Sequence, residues 1–203
     1  LGQDLNVVLS SSGGPIYIAG QQAGTSNNSW GIIVRGGSKI DGGAGAGTGT
    51  VTLDGKADTS TGNAIELETN ASYPVRILSG ATSGTAISIT GTETTTTTSN
   101  AGERGLYTAG AGLTINASGG GSISITGTTG VTHSSNPGGI YMLGSSDILA
   151  SGGNVSINGG DKGIYMSGTY NLGALTGSTA STGNISVTGD AFNGTPTINT
   201  KNT

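Results

Sequence analysis

Short runs in which apolar and small polar residues alternate punctuate the chain. One type of run recurs as TVTLDG (50–55), AISITG (86–91), SISITG (122–127), NVSING (154–159) and NISVTG (184–189), at start-to-start intervals of 36, 36, 32 and 30 residues. Its apolar residues lie two apart, as Val51/Leu53, Ile87/Ile89, Ile123/Ile125, Val155/Ile157 and Ile185/Val187. Between them stand Thr52, Ser88, Ser124, Ser156 and Ser186. A period of two predicts a strand with one face in a core and the other in water. Gly55, Gly91, Gly127, Gly159 and Gly189 close the copies, and the expectation for each is a turn at positive φ, which glycine takes without steric penalty.

A second type follows the first as NAIELE (63–68), RGLYTAG (104–110), GGIYMLG (138–144) and KGIYMSG (162–168), with GPIYIAG (14–20) read as an earlier copy. Ile16/Ile18, Ile65/Leu67, Ile140/Met142 and Ile164/Met166 are its inward pairs, which leaves Tyr17, Tyr107, Tyr141 and Tyr165 in one outward slot, with Glu66 as the exception. A third, looser type supplies VRILSG (75–80), LTINASGG (113–120), DILASGG (147–153) and NLGALTG (171–177). No stretch shows a 3.6-residue period, and so much glycine would cost about 1 kcal/mol per site inside a helix.

Three strand types returning in fixed order predict an all-β chain folded as a parallel β-helix, or β-solenoid, with about three strands per coil. Equivalent strands then stack roughly 4.8 Å apart and contribute matching side chains to shared columns. Residues 1–203 are read as a single solenoid domain of about five coils, with the clearest repeats over 50–190. The turn after the first strand type varies from KADTSTG (56–62) and TETTTTTSNAGE (92–103) to GDK (160–162), so insertions gather along one edge. Variable turns and the hand of parallel crossovers favour a right-handed coil.

Composition narrows the function. With 41 Gly, no Cys, 9% charged residues and 32% hydrophobic residues, the chain is unlike an average enzyme domain. A net charge of −4 with scattered Lys and Arg argues against a phosphate-binding surface and so against nucleic acid. No apolar run reaches the roughly 18 residues of a membrane helix. Lack of Cys removes disulfides and thiolate metal sites, and permits a secreted protein without requiring one. The start, LGQDLNVV, carries neither an initiator Met nor a signal peptide, which suggests a processed chain or an excerpt.

Candidate chemistry is sparse, and no catalytic, cofactor-binding or metal residues are assigned. Glu66 and Glu68 share a strand face and could imitate an acid/base pair, but no neighbouring coil is expected to add a third acid or a Lys/Arg clamp at that slot, which argues against a glycoside-cleaving groove. His133 is the only His, in the loop VTHSSNP, and is read as a loop residue without a catalytic partner. GGAGAGTGTVTLDG lacks the Lys of a phosphate-binding loop and the third Gly of a dinucleotide fingerprint. Trp30 is read as packing at a coil corner. The tyrosine slot, Tyr17, Tyr107, Tyr141 and Tyr165, has two readings: cross-strand packing worth roughly 0.2–1 kcal/mol per pair, or a strip that meets a glycan or partner surface. The hydroxyl column Thr52, Ser88, Ser124, Ser156 and Ser186 is read as a solvated face, with ice binding as the alternative. Six N-x-S/T sites, at Asn27, Asn70, Asn116, Asn154, Asn184 and Asn193, are expected by chance in this composition.

At GSISITG, GGIYMLG and DILASGGNVSINGG the chain resembles the repeat regions of filamentous-haemagglutinin-type exoproteins and autotransporter-like giant adhesins. That resemblance, over roughly residues 50–190, implies a secreted right-handed β-helix at a bacterial surface, acting as adhesin stalk or fibre segment without enzymatic activity. The alternatives are a self-assembling filament subunit, in which residues near 1–20 meet a coil formed around 184–200, and a carbohydrate-active or ice-binding solenoid. The partners expected are further coils, copies of the chain itself, or host and matrix glycans.

Overall fold

The computed structural model describes residues 7–22, 30–43, 49–58, 62–95, 103–131, 138–173 and 183–201. All regular structure among them is strand apart from one short 3-10 turn at Gly160–Lys162. Sheet A gathers β1 (Val8–Ser10), β4 (Lys39–Asp41), β7 (Arg76–Ser79), β10 (Leu113–Ala117), β13 (Ser146–Ala150), β16 (Thr169–Gly173) and β19 (Thr197–Lys201), in that spatial order. Sheet B gathers β2 (Ile16–Gln22), β5 (Val51–Ala57), β8 (Thr85–Glu93), β11 (Ser122–Thr129), β14 (Val155–Asn158) and β17 (Ile185–Thr188). Sheet C gathers β3 (Trp30–Arg35), β6 (Asn63–Glu68), β9 (Arg104–Ala109), β12 (Ile140–Leu143), β15 (Ile164–Ser167) and β18 (Phe192–Asn193). Each strand pairs in parallel with the strand three places on in the chain. Three strands make a coil, and the coils stack into a β-solenoid.

Register turns the repeat into columns. Val51, Ile87, Ile123 and Val155 are mutual partners along sheet B, as are Leu53, Ile89, Ile125 and Ile157, and all eight are buried. Sheet C contributes Ile65, Leu106, Ile140 and Ile164, and sheet A contributes Ile40, Ile77, Ile115, Ile148 and Leu172. These columns form one continuous core. Each fully buried branched side chain contributes about 1.5–3 kcal/mol relative to the exposed state.

Two expectations need correction. GPIYIAG belongs to sheet B: Ile16, Tyr17 and Ile18 pair with Val51, Thr52 and Leu53, and Gly20 pairs with Gly55. The first coil's sheet C strand is instead Trp30–Arg35, whose Ile33 stands opposite Glu66. The closing glycines are also needed for a different reason, since none of Gly55, Gly91, Gly127, Gly159 and Gly189 has positive φ. A Cβ on Gly55, Gly91, Gly127 or Gly159 would overlap the backbone carbonyl of Ala64, Gly105, Gly139 or Gly163 respectively. Sheets B and C converge at this corner until backbone touches backbone. Positive φ is used at the next corner, where Gly110 (φ 85°), Gly144 (φ 78°) and Gly168 (φ 138°) turn the chain from sheet C into sheet A.

Candidate functional site: an aromatic strip on sheet C

The outward slot of sheet C reads Ile33, Glu66, Tyr107, Tyr141, Tyr165 and Asn193 in consecutive register. Three of the four tyrosines read from the sequence therefore stand together. Tyr17 stands apart on sheet B, 64% exposed, at the end of the hydroxyl column and donating to Asp54 Oδ2 at 3.3 Å.

Parallel in-register pairing brings the rings together, because identical positions on adjacent strands project side by side. Tyr141 and Tyr165 are stacked, with centroids 4.3 Å apart and planes 8° from parallel. Tyr107 is tilted by 46° and 5.9 Å from Tyr141. Arg104 fills that wider gap, its guanidinium carbon 4.0 Å from the Tyr141 centroid and 5.0 Å from that of Tyr107. Since β9 and β15 flank β12, Arg104 and Tyr165 cover opposite faces of the Tyr141 ring. A partner meeting Tyr141 would find its edge and hydroxyl. Burial pushes the Arg104 guanidinium below its usual value, against the opposing pull of Tyr141, Tyr107 and Glu66. Burial and then the Tyr165 neighbour raise the Tyr141 phenol, and Arg104 opposes them.

The strip continues into a polar cluster that sequence reading left in pieces. Trp30, at the corner where β3 begins, donates its indole N–H to Glu66 Oε2, and Asn63 Nδ2 donates to the same oxygen at 2.8 Å. Asn63 is the register partner of Arg104, so a basic residue does reach the Glu66 neighbourhood from the next coil. Glu68 shares the outward face but is held by Arg35 Nε at 3.1 Å. Both carboxylates thus have fixed partners.

On sheet B, Thr52, Ser88, Ser124, Ser156 and Ser186 form one outward column as expected, and Asp54, Thr90, Thr126, Asn158 and Thr188 form a second beside it. His133 and Asn27 lie outside the described residues, as do residues 44–48 of the glycine-rich run. Among the described residues no group of three or more His, Cys, Asp or Glu could hold a metal ion, and no helix is long and apolar enough to cross a membrane. Compared with family models, curated proteins and solved structures, the chain gives no significant match in any of the three.

Proposed function

We propose that the chain is a non-enzymatic structural segment of a secreted surface fibre, the stalk of an adhesin of the filamentous-haemagglutinin type. One observation carries this reading: the same inward columns run from coil to coil along all three sheets, and the register shift at Ser122/Ile123, between β8 and β11, leaves them aligned. Such a chain holds a constant cross-section while length varies, which is the property of a spacer. The repeat motifs of the sequence support the adhesin class, and the extracellular or cell-surface location follows from that class. Solution scattering should fit the stacked coils, and a screen of polysaccharide hydrolase and lyase substrates should give no turnover. A profile that the stacked coils do not fit, or turnover abolished by Glu66→Gln, overturns the reading.

A second reading, end-to-end assembly with copies of the chain or with further coils, is favoured by the last coil. Phe192 is 52% and Ile198 38% exposed, although their register partners Ile164 and Tyr170 are buried. Rods that lengthen with concentration at constant width under the electron microscope support it, and a monomer at all concentrations sinks it. Glycan arrays test the remaining partner class through the strip at Tyr107, Tyr141 and Tyr165, whose joint replacement by Thr removes the rings while keeping strand propensity.

A further inference from the structure

Covalent ties between coils are the natural reinforcement for a fibre, yet this chain has no cysteine with which to make them. Among the described residues, the one place where two oxidisable rings of successive coils lie face to face is the Tyr141/Tyr165 stack. We propose that Tyr141 and Tyr165 form a site of oxidative cross-linking, closing an intramolecular dityrosine that ties β12 to β15. The proposal rests on the surface-fibre reading, because a peroxide-driven haem peroxidase is an oxidant met outside the cell.

The chemistry needs two phenols, each giving up one electron and one proton, with a new carbon–carbon bond between ring carbons ortho to the hydroxyls. Hydrogen peroxide takes both electrons and both protons and leaves as two waters. Loss of the two ortho hydrogens in the coupled intermediate, regained at the hydroxyls, restores both phenols. Coupling begins by contact between ring faces, where the unpaired density of a phenoxyl radical lies. Rings 4.3 Å apart and 8° from parallel already have that approach. Both rings are half-buried on the outward face, so their edges stay open to the oxidant.

Selectivity comes from the neighbours. Tyr107 is the next ring along, but it is 46° off parallel and Arg104 stands over both it and Tyr141. Tyr17 and Tyr73 are the more exposed phenols, at 64% and 48%, and neither has a ring partner among the described residues. Tyr170 is fully buried, its hydroxyl donating to the Met142 carbonyl at 2.9 Å. Reactivity by exposure alone would modify Tyr17 and Tyr73 and link molecules to one another. Reactivity by geometry joins 141 to 165 within one molecule.

The test treats dilute purified chain with horseradish peroxidase and limiting hydrogen peroxide. Expected are dityrosine fluorescence, a monomer lighter by two hydrogens, and a digest in which the peptides carrying Tyr141 and Tyr165 are joined. Tyr165→Phe should abolish the monomeric product, Tyr107→Phe should leave it unchanged, and the joined protein should melt higher than the parent. Cross-links confined to Tyr17 or Tyr73, links only between molecules, or equal yield from Tyr165→Phe would overturn the proposal. Because circular dichroism and solution scattering of the untreated protein report the stacked coils independently, failure here leaves the stalk reading standing, whereas a profile that the stacked coils do not fit defeats that reading itself.

Discussion

Gly91 and Gly105 face each other across the corner between sheets B and C so closely that a β-carbon on Gly91 would overlap the Gly105 carbonyl oxygen. The obstacle is backbone on both sides, so no rotamer change relieves it. Gly91→Ala should lower unfolding stability by at least about 3 kcal/mol, the upper end of overpacking costs. Gly14→Ala, where the added carbon meets only the Ser11 hydroxyl oxygen at 3.1 Å, should shift it little. Urea denaturation of the two variants side by side makes the comparison, and equal midpoints would refute the backbone contact.

Thr108 sits inside the core between Leu67 and Met142, fully buried, and its hydroxyl has no hydrogen-bond partner among the described residues. A lone buried hydroxyl costs desolvation without return. Thr108→Val keeps the shape and removes the polar atom, so it should raise stability by about 1 kcal/mol. A thermal melt no higher than that of the parent would show that the hydroxyl has found a partner.

Glu93, 2% exposed at the end of β8, accepts from Thr129 Oγ1 and from the Thr95 N–H, each at 2.6 Å. Burial pushes its carboxyl above the usual value of 4.5; Thr129 and Thr95 oppose the shift, and the nearby Glu103 carboxyl adds to it. A raised folded value means that the protonated form is the one the fold favours. Its contribution is therefore complete below the ordinary carboxylate range and is lost as pH rises through the folded value. Glu93→Gln can still accept from the Thr95 N–H and can donate its amide N–H to the Thr129 hydroxyl oxygen, without the charge. The variant should gain stability over the parent at neutral pH, and the gain should shrink as pH falls toward 4 (roughly the ordinary carboxylate value). A difference independent of pH would contradict this assignment.

Tyr170 is a core residue of sheet A whose hydroxyl donates to the Met142 carbonyl at 2.9 Å and to the Ser167 carbonyl at 3.3 Å. Burial pushes its phenol up to about 12. Tyr170→Phe should cost about 1–3 kcal/mol by removing the buried donor to the Met142 carbonyl, while the Ser167 carbonyl keeps the Gly144 N–H at 2.8 Å. In alkali, stability from this phenol should persist below about pH 10 and disappear as pH approaches 12. Ultraviolet titration of the phenols against that of Tyr170→Phe isolates the late-ionising group.

The solenoid was legible because inward columns need apolar residues two apart, and Val155/Ile157 or Ile123/Ile125 declare that spacing without help from elsewhere in the chain. The placement of Tyr17 was not, because Ile16-Tyr17-Ile18 satisfies the period-two pattern of either sheet equally well. Its sheet is decided further along the chain, where Gly20 falls in register with Gly55 and Trp30–Arg35 then occupies the sheet C position. Trp30, Asn63 and Arg104 occupy corner positions, where alternation gives no guide to direction. Glu93 lies in the run TETTTTT, which reads as part of the variable turn after the first strand type. It is buried because β8 continues two residues past Gly91 and carries it into register with Thr129.

Register partners need not be evenly spaced along the chain. Tyr141 and Tyr165 are 24 residues apart, whereas Glu66 and Tyr107, which occupy equivalent positions, are 41 apart (165 − 141 and 107 − 66). The ladder is blind to that difference, although β8 is nine residues long where the equivalent β14 is four. A gene encoding such a ladder can therefore gain or lose a coil by unequal recombination, or vary an edge connection, without disturbing the contacts elsewhere. The length of the stack becomes a heritable quantity that changes in whole steps.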